Sequence, residues 1–165
     1  MKHFFIIIIF LTLITPLKAQ LYERSVGIRL GRTNGIFFDI QNEDLSSYRF
    51  MLNWRDGGRQ LTVMKFFHRY KMDKLPASLS LYYGYGIHAG SSTWDQYKQD
   101  TEHGYYWEEM TAPVIGIDGL IGISYDLERI PVSLTCEMKP FLDFWGKNII
   151  YSTPFDFALN AIYHF

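Results

Sequence analysis

Phe155-Asp156-Phe157-Ala158-Leu159-Asn160-Ala161-Ile162-Tyr163-His164-Phe165 is the last stretch of the sequence. Phe155, Phe157, Leu159, Ala161, Tyr163 and Phe165 place an apolar or aromatic side chain at every second position. Asp156, Ala158, Asn160, Ile162 and His164 stand between them. Successive side chains of a β-strand point to opposite faces. The stretch therefore predicts a strand with one apolar face and one mostly polar face.

The same period of two runs backwards through the chain. Val132, Leu134, Cys136, Met138, Leu142 and Phe144 alternate with Ser133, Thr135, Glu137, Lys139 and Asp143, and Pro140 removes one ladder donor on the apolar side. Ile115, Ile117, Ile121, Ile123 and Tyr125 alternate with Gly116, Asp118, Leu120, Gly122 and Ser124. Leu79, Leu81, Tyr83, Tyr85 and Ile87 alternate with Ser78, Ser80, Tyr82, Gly84, Gly86 and His88. Tyr48, Phe50, Leu52 and Trp54 alternate with Arg49, Met51, Asn53 and Arg55, and Val26, Ile28 and Leu30 with Gly27, Arg29 and Gly31. Two stretches, 36–41 and 59–70, are less regular. In the second, Thr62, Met64 and Phe66 are assigned to the apolar face and Lys65 to the opposite one.

Thr33-Asn34-Gly35 and Asp56-Gly57-Gly58 read as tight hairpin turns, rich in residues that tolerate positive φ. Residues 42–46, 71–76 and 126–131 are short polar connections, and 91–113 and 145–153 read as longer loops. The count is eight strands, all antiparallel. With the first strand starting on the periplasmic side, the Gly-containing turns and the long loop fall on the extracellular side. That asymmetry belongs to outer-membrane barrels.

The start of the chain is different in kind. Met1-Lys2-His3 is basic, the run from Phe4 to Ile14 is apolar apart from Thr12, and Thr15-Pro16-Leu17-Lys18-Ala19-Gln20 breaks it. This is the three-part pattern of a secretory signal. The run is too short to span a bilayer, which needs about 20 residues. Residues 1–19 are expected to be a signal peptide, cleaved after Ala19, and 20–165 a single barrel domain.

The 165 residues carry a net charge of −1, which excludes a nucleic-acid binder that must neutralise many phosphates. Cys136 is the one cysteine, so neither an intrachain disulfide nor a thiolate zinc cluster can form. It falls in the apolar register as a small hydrophobe. No metal and no cofactor are expected.

Alternation alone does not say which face points outward. A soluble lipocalin-like carrier has eight strands with the apolar face inside. Three features favour the membrane alternative. The polar faces carry small residues suited to a narrow lumen (Gly27, Gly31, Gly84, Gly86, Gly116, Gly122, Ser78, Ser80 and Ser124). They also carry both signs of charge. Arg29, Arg49, Lys65 and Lys139 face Asp39, Asp118, Glu137, Asp143 and Asp156, a set expected to form an ion-paired plug. Aromatic residues gather near strand ends, as in the girdles at membrane interfaces. The fold expected is an all-β, antiparallel eight-stranded transmembrane β-barrel.

The final Leu159-Asn160-Ala161-Ile162-Tyr163-His164-Phe165 resembles the C-terminal signature of outer-membrane barrels, with an aromatic third from last and a terminal phenylalanine. That resemblance implies that Tyr163 and Phe165 are read by the barrel-assembly machinery. Gly27-Ile28-Arg29-Leu30-Gly31, Trp54-Arg55-Asp56-Gly57-Gly58, Tyr82-Tyr83-Gly84-Tyr85-Gly86, Ile117-Asp118-Gly119-Leu120-Ile121-Gly122 and Ile130-Pro131-Val132-Ser133-Leu134 resemble the small outer-membrane barrel proteins of Bacteroidetes, with an OmpA/OmpX-like architecture. The resemblance covers about residues 24–165. It implies a fold and a location, the outer membrane of a Gram-negative bacterium, with outer-membrane lipids as surroundings; a monomer is expected. It implies no defined activity.

Some eight-stranded outer-membrane barrels act on lipid A and use a serine or histidine pair near the membrane rim. His68, His88, His103 and His164 are available, and His88 is close in sequence to Ser91 and Ser92. No His-x-Ser-like motif and no third orienting group is readable, so the expectation is a non-enzymatic structural or surface-interaction protein. The stretch 91–113 carries Trp94, Tyr97, Tyr105, Tyr106 and Trp107, candidates for an extracellular binding surface. Its carboxylates match no calcium-loop spacing.

Overall fold

The computed structural model describes residues 24–42, 46–55, 57–69, 78–100, 104–146 and 148–165. The expected signal peptide, 1–19, and His103 lie outside the described residues. The described strands are β1 (Arg24–Gly31), β2 (Asn34–Gln41), β3 (Ser46–Arg55), β4 (Gly58–Arg69), β5 (Leu79–Asp100), β6 (Gly104–Asp126), β7 (Val132–Met138), β8 (Phe141–Phe144), β9 (Ile150–Thr153) and β10 (Phe157–His164).

Each of β1 to β6 pairs antiparallel with the next, β6 pairs with β7, β7 with β10, and β10 returns to β1. The sheet is therefore closed and leaves no edge at its waist. β8 continues β7 in the same register along β6, since Met138 opposes Ile121 and Phe141 opposes Asp118. Pro140, lacking an N–H, separates β7 from β8, while its carbonyl still accepts from the Gly119 N–H at 2.8 Å. β9 leads into β10 in the same way. The walls of the ring number eight, β7–β8 and β9–β10 counting as one each.

The junction between β9 and β10 is a bulge. Phe141 opposes Thr153, and Met138 opposes Phe157. Residues 154–156 thus face only Lys139 and Pro140, and the extra residue switches the inward parity. Thr153 and Asp156 are both buried as a result. Asp156 is thereby turned into the barrel, with its carbonyl accepting from the Lys139 N–H at 2.9 Å.

The wall is apolar outside and polar inside. Phe155, Phe157 and Leu159 are 63%, 57% and 65% exposed. A lipocalin-like carrier needs these side chains inside, so that alternative is overturned. Val26, Ile28, Leu30, Ile36, Phe50, Leu52, Ile87, Ile117, Ile121 and Leu134 are likewise exposed on the outer wall.

Three expectations need correction. On β4, Thr62, Met64 and Phe66 are buried inside, and Lys65 belongs to the outer wall. The cause is the turn. Arg55 pairs with Gly58, which leaves only positions 56 and 57 between β3 and β4, with Gly57 at φ 68°. Counting Gly58 into the turn slips the register by one residue, and a one-residue slip sends every side chain to the other face. Residues 91–100 and 104–113 are strand and not loop. Ser91 pairs with Pro113 and the ladder continues to Asp100 with Gly104, so β5 and β6 rise beyond the ring as a two-stranded arm. The stretch 145–153 is shorter as a loop than expected, because β9 pairs with β8.

Inside, large rings lie against glycines on neighbouring strands. Gly27 pairs with Phe37, Gly122 with Tyr82 and Gly116 with His88. A Cβ added to these glycines would stand 2.2 Å from the Phe37 ring, 2.4 Å from the Tyr82 ring and 2.4 Å from the His88 ring. Ring and missing side chain fill one space between them, which is how a narrow lumen holds aromatic residues. Gly122→Ala is expected to lower stability by about 1–3 kcal/mol, the range for overpacking. Denaturant unfolding followed by tryptophan fluorescence measures it.

Candidate functional site

The alternating pattern of β1, β3, β7 and β10 aims Arg29, Arg49, Glu137 and Asn160 into the lumen, where all four are buried. Glu137 is the centre of the first cluster. It accepts from Arg29, from Arg49 at 2.9 Å and from the Tyr82 hydroxyl at 2.9 Å. The rest of the Arg49 guanidinium forks onto Asp39, Nε to Oδ1 at 2.8 Å and Nη2 to Oδ2 at 2.9 Å. Its guanidinium carbon lies 3.8 Å from the Phe37 centroid and 5.0 Å from that of Phe66. Two parallel N–H donors on one carboxylate, with aromatic rings against the cation, hold the side chain in a single orientation.

Arg29 extends this cluster toward the first turn. Its Nη2 lies 3.0 Å from Asp156 Oδ2, and its Nε donates to the Thr33 carbonyl at 3.0 Å. The other Asp156 oxygen accepts from the Thr33 N–H at 3.2 Å. The bulge that turns Asp156 inward therefore also ties the β1–β2 turn to the far wall.

A second cluster occupies the lumen nearer the arm. Asp118 accepts from Lys139 Nζ at 2.6 Å and lies 2.8 Å from His88 Nδ1. His88 Nε2 is 2.9 Å from Asp143 Oδ1, and the other Asp143 oxygen accepts from Arg55 at 2.5 Å. Phe141 sits among them, 4.0 Å from the Arg55 guanidinium carbon and 5.0 Å from Lys139 Nζ. Every side chain of both clusters is at most 9% exposed.

Eight of the nine side chains expected in the lumen are thus there: Arg29, Asp39, Arg49, Asp118, Glu137, Lys139, Asp143 and Asp156. Lys65 is the exception. Arg55, Tyr82, His88 and Phe141 were not in the expected set and belong to it. Arg55 was legible, since it shares the parity of Arg49 and Asn53. Phe141 was not, because an apolar side chain in a polar register gives no sign of which cations it supports.

His68, His88 and His164 each lie beside a polar side chain. His88 is enclosed by two carboxylates. Ser133 Oγ lies 2.6 Å from both Asp126 Oδ1 and His164 Nε2. A hydrolytic relay has the histidine between carboxylate and hydroxyl. Here the hydroxyl is in the middle and donates to the carboxylate. His68 Nε2 is 3.3 Å from Ser47 Oγ. Among the described residues no group of three or more His, Cys, Asp or Glu is placed to hold a metal ion.

On the arm, the Tyr97 and Trp107 rings pair with centroids 5.0 Å apart, both exposed, and Trp94 is half-buried. Tyr105 and Tyr106 lie on β6 opposite Gln99 and Lys98. At the other end of the barrel Tyr163 and Phe165 stack at 6.3 Å, and the Phe165 N–H donates to the Arg24 carbonyl at 3.0 Å.

No family model and no curated protein matches the chain. Among solved structures it is similar to the N-terminal β-barrel domain of Pseudomonas aeruginosa OprF, at 11% identity and a TM-score of 0.49, over 86% of this chain and 96% of that domain.

Proposed function

We propose that the chain is a non-enzymatic outer-membrane β-barrel whose lumen is closed by paired charges, with a structural or surface-interaction role carried by the 91–113 arm. One observation carries this reading: the closed ring exposes a band of apolar side chains on its outer wall and holds two charged clusters inside. A water-soluble protein gains nothing from that inversion, whereas a bilayer requires it. The end holding Arg24 and Phe165 is then periplasmic, and the arm is extracellular. Export by the 1–19 signal, assembly through Tyr163 and Phe165, a Gram-negative source and membership of the Bacteroidetes-type small barrels belong to the same reading, as does a monomeric state among outer-membrane lipids.

The plug follows from the two clusters. Bidentate and networked ion pairs fill an eight-stranded interior, which has room for side chains and little else. A porin-like conductance is not expected. The protein should migrate faster on gels when unheated than when boiled, and should be recovered from the outer-membrane fraction. Recovery as a soluble periplasmic protein would overturn the reading. Reconstituted into planar bilayers it should give no stepwise conductance, and discrete openings would remove the plug while leaving the barrel.

A further inference from the structure

Lys65 stands on the outer wall, half-buried, between the outward-facing Val63 and Phe67 of β4. Its direct partners across the ladder are both tyrosines, Tyr48 on β3 and Tyr85 on β5. Its ammonium lies 5.4 Å from the Tyr48 ring centroid and 5.5 Å from that of Phe67. Phe67 is itself 5.8 Å from Tyr83 and 6.5 Å from Tyr85, so the cation is set in an aromatic patch across three strands. Among the described residues no carboxylate comes within ion-pair distance of it. An ammonium facing hydrocarbon without a counter-ion is costly, and such residues mark functional contacts.

We propose that Lys65, flanked by Tyr48 and Tyr85, binds the phosphate of a phospholipid in the periplasmic leaflet. This rests on the membrane-barrel reading above. The direction of the side chain selects the leaflet. β4 runs from the arm end toward the end that holds Arg24 and Phe165, so Phe67 is nearer the periplasmic boundary than Lys65. The ammonium is drawn to that side, as a snorkelling lysine is. A phosphate there supplies the missing negative charge. The aromatic rings line the acyl chains below it, and the two tyrosine hydroxyls, amphipathic groups suited to the interface, have no hydrogen-bond partner among the described residues and can donate to it. A second copy docked through this same patch would bring no counter-ion, because the outer wall around Lys65 on β3, β4 and β5 is apolar or aromatic.

Native mass spectrometry of the detergent-purified protein, titrated with phosphatidylglycerol, tests the site. Lys65→Met should bind the first phosphatidylglycerol about fivefold more weakly than wild type, the weight of one cation near a lipid surface. Lys65→Arg should bind as wild type does. Diacylglycerol, with the same chains and no phosphate, should leave no comparable adduct. Equal binding by Lys65→Met, or an equal adduct with diacylglycerol, would overturn the proposal. Stronger retention of lipid A than of phosphatidylglycerol would overturn the leaflet. Heat-modifiable migration of each variant verifies folding, and Lys65→Gln replaces the methionine variant if that one does not fold. Wild type that inserts into vesicles without discriminating these lipids sinks the site alone, whereas wild type that fails to insert sinks the membrane reading.

Discussion

Glu137→Ala is expected to cost about 3–5 kcal/mol of barrel stability, the range for removing one partner of a buried ion pair. The carboxylate serves Arg29, Arg49 and Tyr82 together. Removing it leaves two guanidinium groups each short of one acceptor in a space that water does not reach freely, and a cavity where the side chain stood. The two cations are not equally stranded. Arg49 keeps its fork on Asp39, and Arg29 keeps Asp156. What is lost is the bridge that prevents their mutual repulsion. Glu137→Gln separates the terms: the amide keeps the volume and one acceptor, and should recover part of the loss. Urea unfolding in lipid vesicles, read by tryptophan fluorescence, gives both values. A loss below about 1 kcal/mol for the alanine variant, the level of an exposed pair, would mean that the cluster is hydrated and the lumen open.

This network was largely legible from alternation. A strand with one face in contact with apolar surroundings must segregate its side chains, and Arg29, Arg49, Glu137 and Asp143 stand in unambiguous polar registers. Legibility failed where that constraint was absent or where a turn controlled the phase. β4 reads Leu61-Thr62-Val63-Met64-Lys65-Phe66-Phe67-His68, in which both parities mix apolar and polar residues. Its phase comes from the length of the turn at positions 56 and 57, through the pairs Leu52 with Leu61 and Phe50 with Val63. Counting outward from Leu52 and Phe50 across a two-residue turn would have put Lys65 outside. The arm failed for the opposite reason. Above the ring the side chains described on residues 91–97 and 107–113 are exposed or half-buried and none is fully buried, so they have little need to alternate, and a strand without a buried face looks like a loop. The bulge before Phe157 left no signal in spacing, since Phe155 and Phe157 both remain on the outer wall while Thr153 and Asp156 turn inward on either side of it.

The location of the apolar face yields the second large effect. Leu159, 65% exposed, pairs with Leu30 of β1 and Cys136 of β7, and so lies well inside the outward apolar band. In water, replacing so exposed a leucine by arginine changes stability by no more than about 0.5 kcal/mol. In a bilayer the same guanidinium must leave water for hydrocarbon, at about 2–4 kcal/mol near the midplane and less toward the interfaces. Leu159→Arg is therefore expected to destabilise the folded barrel by about 2–4 kcal/mol in vesicles. Tyr163→Arg, two alternations closer to the boundary, should cost about 0–1 kcal/mol through solvation alone. The comparison between the two depths carries the argument, because local strand propensity contributes similarly at both. A gradient that follows depth requires a lipid phase around the wall. Equal small losses at Leu159 and Tyr163 would mean that the outer face meets water or protein, and the membrane reading would fail however the lumen is filled.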